Sequence, residues 1–78
     1  MINNNFSIEI PQFQMKLTVG CIVKISRFDT VEWILLHGWY SWGGNRPVCG
    51  WYLKNRENPL DIKPLEKPDL DDIYLIER

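Results

Sequence analysis

Phe13-Gln14-Met15-Lys16-Leu17-Thr18-Val19-Gly20-Cys21-Ile22-Val23-Lys24-Ile25 is the stretch that decides the fold of this chain. Phe13, Met15, Leu17, Val19, Cys21, Val23 and Ile25 are all apolar, while the residues between them are mostly polar. Side chains of a strand alternate between two faces, so a sustained two-residue period reads as a long strand with one buried face. Gly20 interrupts the polar face with a bare backbone position, and a bend is expected there.

Upstream the phase changes. Ile2, Phe6, Ile8 and Ile10 occupy even positions, and Pro11 separates the two registers. Residues 1–11 are therefore expected to form an arm or clasp strand, and residues 12–78 a single small domain. Downstream, Arg27-Phe28-Asp29-Thr30 reads as a turn, Val31 to Tyr40 as a second strand and Val48 to Lys54 as a third.

Gly44-Asn45 is a candidate two-residue hairpin turn between those strands, because its first position accepts positive φ. That register sets Tyr40 opposite Cys49, Trp39 opposite Gly50, Gly38 opposite Trp51, His37 opposite Tyr52 and Leu36 opposite Leu53. It twice places a ring across from a bare backbone. One hairpin face then carries Ile34, Leu36, Tyr40, Cys49, Trp51 and Leu53. This purer face is expected in the core. The other carries Trp33, Leu35, His37, Trp39, Val48, Tyr52 and Lys54.

Pro59, Pro64 and Pro68 exclude a long helix from the region that follows. Leu60, Ile62 and Leu65 fit a short edge strand. Pro68-Asp69-Leu70-Asp71-Asp72 fits a single 3₁₀ turn, with proline and carboxylates at a helix start. Ile73 to Glu77 closes the chain as a last strand.

A bent first strand, a tight central hairpin, a proline-marked connection, one helical turn and a short final strand resemble a small SH3-like barrel. The expected fold is thus all-β, a five-stranded barrel with an N-terminal arm. The stretch Gly50-Trp51-Tyr52-Leu53 and the ending Pro64-Leu65, Asp69-Leu70 and Asp72-Ile73-Tyr74-Leu75-Ile76 also resemble short uncharacterised proteins of bacteriophages and prophages. That likeness suggests a mobile-element origin and implies no chemistry.

Bulk properties fit one core. The 78 residues are 45% hydrophobic and 24% charged, too apolar for a disordered chain and small enough that every large apolar side chain is first a core candidate. Residues 1–56 hold six basic and three acidic side chains, and residues 57–78 hold three and seven. The formal charge is −1, well short of the basic excess of a general phosphate binder. Cys21 and Cys49 are too few for a disulfide scaffold, and Met1-Ile2-Asn3-Asn4-Asn5 lacks the stretches of a signal peptide, so a reduced, cytoplasmic protein is expected. No apolar run approaches the ~18 residues of a membrane span.

Signals for chemistry are sparse. His37 with Cys21 and Cys49 has neither the spacing of a zinc site nor a CxxC element, and both cysteines sit in phase with core positions. Asp69, Asp71 and Asp72 lack the ligand pattern of a calcium loop and have no histidine or basic residue beside them in the chain, so they read as a solvated turn. No metal, cofactor or catalytic set is expected. The aromatic content is the informative part, because four tryptophans and three tyrosines are hard to enclose on one side of so small a sheet.

Trp33, His37, Trp39 and Tyr52 share the less pure hairpin face, with Trp42 at its tip and Arg46, Lys54 and Arg56 along its rim. Trp, Tyr and Arg dominate protein interfaces, so this face reads as a docking surface for another protein or for a second copy of the chain. Two alternatives remain open at this point. Phe6, Ile8 and Ile10 would cover the face as a second core layer, or the rings would stack on the bases of a single-stranded nucleic acid while the rim meets phosphates.

Overall fold

The computed structural model describes residues 7–10 and 15–78. In chain order they form β1 (Ser7–Ile10), β2 (Met15–Thr18), β3 (Ile22–Lys24), β4 (Trp33–Tyr40), β5 (Val48–Asn55), β6 (Ile62–Pro64), α1 (Lys67–Asp71) and β7 (Tyr74–Glu77). The domain is mostly β. β1 and β2 make a two-stranded sheet, and the other strands make a five-stranded sheet in the order β6-β5-β4-β3-β7, with antiparallel pairing throughout. Among the described residues no strand pairing closes these two sheets into a barrel.

The alternating stretch keeps its period up to the crease, beyond which Ile22, in the other phase, is buried as well. Leu17, Cys21 and Val23 are buried, and Ile25 packs against them. The run is creased where glycine permits it. Gly20 takes φ +99°, its N–H donates to Leu35 O at 2.8 Å, and Cys21 N–H donates back to Thr18 O at 3.2 Å. The chain thereby leaves the small sheet as β2 and enters the large one as β3. Phe6, Pro11 and Phe13, on which the arm and the phase change were read, lie outside the described residues. The described part of the arm is β1, which sets Ile8 opposite Leu17 and adds buried Ile10 to the core.

The hairpin register is one residue out of step with the one deduced from Gly44-Asn45. The structure pairs Trp39 with Cys49, Gly38 with Gly50, His37 with Trp51, Leu36 with Tyr52 and Leu35 with Leu53. The two glycines face each other, and neither lies opposite a tryptophan. The turn itself is Trp42 to Asn45, with Asn45 N–H donating to Trp42 O at 3.2 Å and Gly43 and Gly44 at φ +64° and +75°. Two central residues of positive φ are what a type I′ turn demands. Arg46 and Pro47 then extend the return, and Pro47 has no N–H with which to resume the ladder before Val48.

A one-residue slip turns every side chain of one strand over. β5 keeps the expected orientation, with Leu53 fully buried and Trp51 packed on the core. β4 is reversed. Trp33 and Leu35, expected on the surface face, are buried at 7% and 0% exposure, while Ile34, Leu36 and Tyr40 point to the other side. The Trp33 ring is held by the preceding turn, where its Nε1–H donates to Asp29 Oδ2 at 3.1 Å and Val31 N–H donates to Asp29 Oδ1 at 3.0 Å. A buried indole needs such a partner, and Asp29 supplies it.

The turn before the last strand is α-helical rather than 3₁₀, since Leu70 N–H reaches Glu66 O at 3.3 Å. Asp69 is not simply solvated. It accepts from Glu66 N–H at 3.0 Å and pairs with Lys63 at 3.3 Å, which ties α1 to β6. Buried Ile73 then leads into β7.

Candidate functional site

β4 and β5 are the longest strands, and their neighbours do not follow them to the end. β3 pairs with β4 only at Trp33 and Ile34, with hydrogen bonds on Leu35 beyond, and β6 pairs with β5 only at Tyr52 to Lys54. From Gly38 to Tyr40 and from Val48 to Gly50 the two strands continue as a ribbon without a flanking strand among the described residues.

The inner face of this ribbon passes from core to solvent in three cross-strand steps. Leu35 and Leu53 are fully buried. His37 and Trp51 are half-buried and meet edge to face, with ring centroids 5.0 Å apart and planes at 71°. Trp39 and Cys49 are exposed, Trp39 at 73%. The same alternation that builds the core therefore places a large ring in water one step past the end of that core. Beyond it the loop 41–47 carries Trp42, 48% exposed, and Arg46, also exposed, and Ser41 Oγ–H donates to Asn45 O at 3.0 Å across the loop.

The outer face pairs Ile34 with Lys54, Leu36 with Tyr52, Gly38 with Gly50 and Tyr40 with Val48. Tyr40 and Tyr52 flank the glycine pair diagonally and stack at 4.8 Å with planes at 27°. No heavy atom lies within 4 Å of where a Cβ would stand on either glycine.

Of the residues singled out in the sequence, His37, Trp39, Trp42 and Arg46 lie together toward this end of the ribbon. Trp33 belongs to the core, and Tyr52 and Lys54 lie on the opposite face from Trp39. Arg56 is engaged at the ribbon's root, bonded to Glu32 at 2.8 Å and Glu77 at 3.3 Å. The hydrogen bond to Glu32, with the charge of Glu77, holds its guanidinium pKa above the ordinary value. Cys49, expected on the core face, stands opposite Trp39, and Val48, expected on the face of Trp39, stands opposite Tyr40 on the other one. Reading that register required the Gly43-Gly44 turn and the missing N–H of Pro47.

Cys21 is buried with its Sγ 3.7 Å from Thr18 Oγ1, and Cys49 is exposed, so the two thiols are free and differently placed. Among the described residues no three His, Cys, Asp or Glu side chains converge on a metal position. No described helix is long and apolar enough to cross a membrane. Compared with family models, with curated proteins and with solved structures, the chain matches none of them.

Proposed function

We propose that the chain is a non-enzymatic interaction module of SH3-like layout that docks on another protein, or on a copy of itself, through the projecting end of the β4–β5 ribbon. The observation that carries this reading is Trp39, which stands 73% exposed on the very face that buries Leu35 and Leu53. A tryptophan ring in water is an interface anchor in waiting, and Trp42 and Arg46 beside it are of the same kind. The crease at Gly20, the central hairpin and the helical turn before the last strand support the SH3-like layout. A cytoplasmic site of action and a mobile-element origin remain part of the proposal.

Single-strand nucleic-acid binding is the weaker reading. It needs Trp33, Trp39 and Tyr52 on one platform edged by Arg46, Lys54 and Arg56, whereas Trp33 is buried, Tyr52 faces away from Trp39 and Arg56 is paired with carboxylates.

A pull-down from bacterial lysate, with and without nuclease treatment and over a salt series, tests the choice, with captured species identified by mass. Wild type should retain a protein that Trp39→Ala loses while staying folded. Capture that vanishes with nuclease, or that weakens steeply with salt, indicates phosphate binding instead.

A further inference from the structure

We infer that the partner of the ribbon is a polypeptide that presents carboxylates around an apolar or aromatic anchor site. This rests on the docking reading above and names the chemistry of the occupant. The ground is a segregation of charge that follows the architecture. Between Glu32 and Glu57 the chain has Arg46, Lys54 and Arg56 and no acidic side chain, so residues 33–56 carry a formal +3. The remainder holds six basic and ten acidic residues, a formal −4.

Arg56 is compensated at the root by Glu32 and Glu77. Arg46 and Lys54 have no acidic neighbour anywhere on the ribbon's own strands or loop. At the tip, a bare ring beside the Arg46 cation meets its complement in a partner of opposite sign, because docking a cation without one strips its water for no return.

Two other occupants fit less well. A second copy meeting this end face to face would set Arg46 near its own image. The exposed parts of Trp39, Trp42 and Val48 also amount to roughly 400 Å², about half of what each side of a standard interface buries. A nucleic-acid strand needs a continuous cationic track. Here Arg46 lies in the tip loop, Lys54 lies near the root on the outer face, and Arg56 is taken.

The test pans a random peptide display library against the full chain, with Trp39→Ala and Arg46→Glu panned alongside. A dT20 oligonucleotide and sedimentation of the chain alone serve as competing arms. The expected result is enrichment of peptides that combine Asp or Glu with aromatic or aliphatic residues. Synthetic copies should lose about thirtyfold in affinity against Trp39→Ala and about tenfold against Arg46→Glu.

Peptides that depend on Trp39 but show no acidic excess, or that bind Arg46→Glu equally well, overturn the inference and leave the docking reading standing. No peptide that depends on Trp39 overturns the docking reading itself. Tighter binding of dT20 than of any peptide overturns the polypeptide partner. Self-association that Trp39→Ala abolishes overturns a partner other than a second copy of the chain.

Discussion

Replacing Trp33 by alanine should unfold the domain, and replacing Trp39 should not. At 7% exposure Trp33 withholds roughly 200 Å² from water, which at ~25 cal/mol/Å² is about 5 kcal/mol. That figure is an upper bound because the denatured chain is itself partly collapsed, so a loss of about 3–5 kcal/mol is expected. Domains under ~80 residues rarely hold more than about 3–5 kcal/mol in total. Trp39, at 73% exposure, keeps only roughly 60 Å² from water, or about 1.5 kcal/mol. Urea titration followed by far-ultraviolet circular dichroism separates the two, since each variant removes one of the four tryptophans and both are read through the same backbone signal. A folded Trp33→Ala protein that has lost less than about 1 kcal/mol, or equal losses for the two variants, would refute the assignment of faces on which the site depends.

Three further outcomes follow from the same geometry. Leu35 and Trp51 turn their peptide groups away from the hairpin ladder, so by alternation Trp39 and Cys49 form a non-hydrogen-bonded pair with Cα atoms about 4.5 Å apart, close enough for a disulfide. Trp39→Cys should therefore oxidise intramolecularly with Cys49, and Tyr40→Cys should not; the reverse result in a mass measurement under mild oxidant would restore the Gly44-Asn45 register. Gly50→Ala should raise stability by about 0.4–1 kcal/mol, since its φ is ordinary and its Cβ would stand in open space. Gly38→Ala should lower stability by about 1 kcal/mol or more because φ is +154° there, and thermal melts compare the pair. A thiol reagent should modify Cys49 rapidly in the native protein and Cys21 only on unfolding, and equal rates would contradict the burial of Cys21.

Much of the fold is legible in the chain, and the candidate site only half so. The period-two run through Leu17, Cys21 and Val23 marks buried positions because alternation is a local property of extended backbone. Gly20 marks the crease because only its conformational range permits φ +99° there. Trp39 and Trp42 read correctly as surface rings. Trp33 did not, because its place depends on which strand residue it opposes and on an indole bond to Asp29 that no hydrophobic pattern records. Register likewise decides that Cys49, and not Val48, shares the face of Trp39.

The strand-forming segments, their succession along the chain, the bend and the excess of aromatic side chains were determined by the sequence by itself, because each depends on local periodicity, on backbone freedom or on count. Register was decided only in the tertiary structure. Both hairpin faces are apolar enough to be buried, so the side-chain pattern of β4 leaves two registers open one residue apart. The choice falls to specific contacts: Leu35 bonded to the Gly20 crease, Leu53 buried opposite Leu35 in the same core, and Trp33 bonded to Asp29. Those contacts turn Trp33 inward. The same alternation, carried past the last flanking strand, leaves Trp39 in solvent.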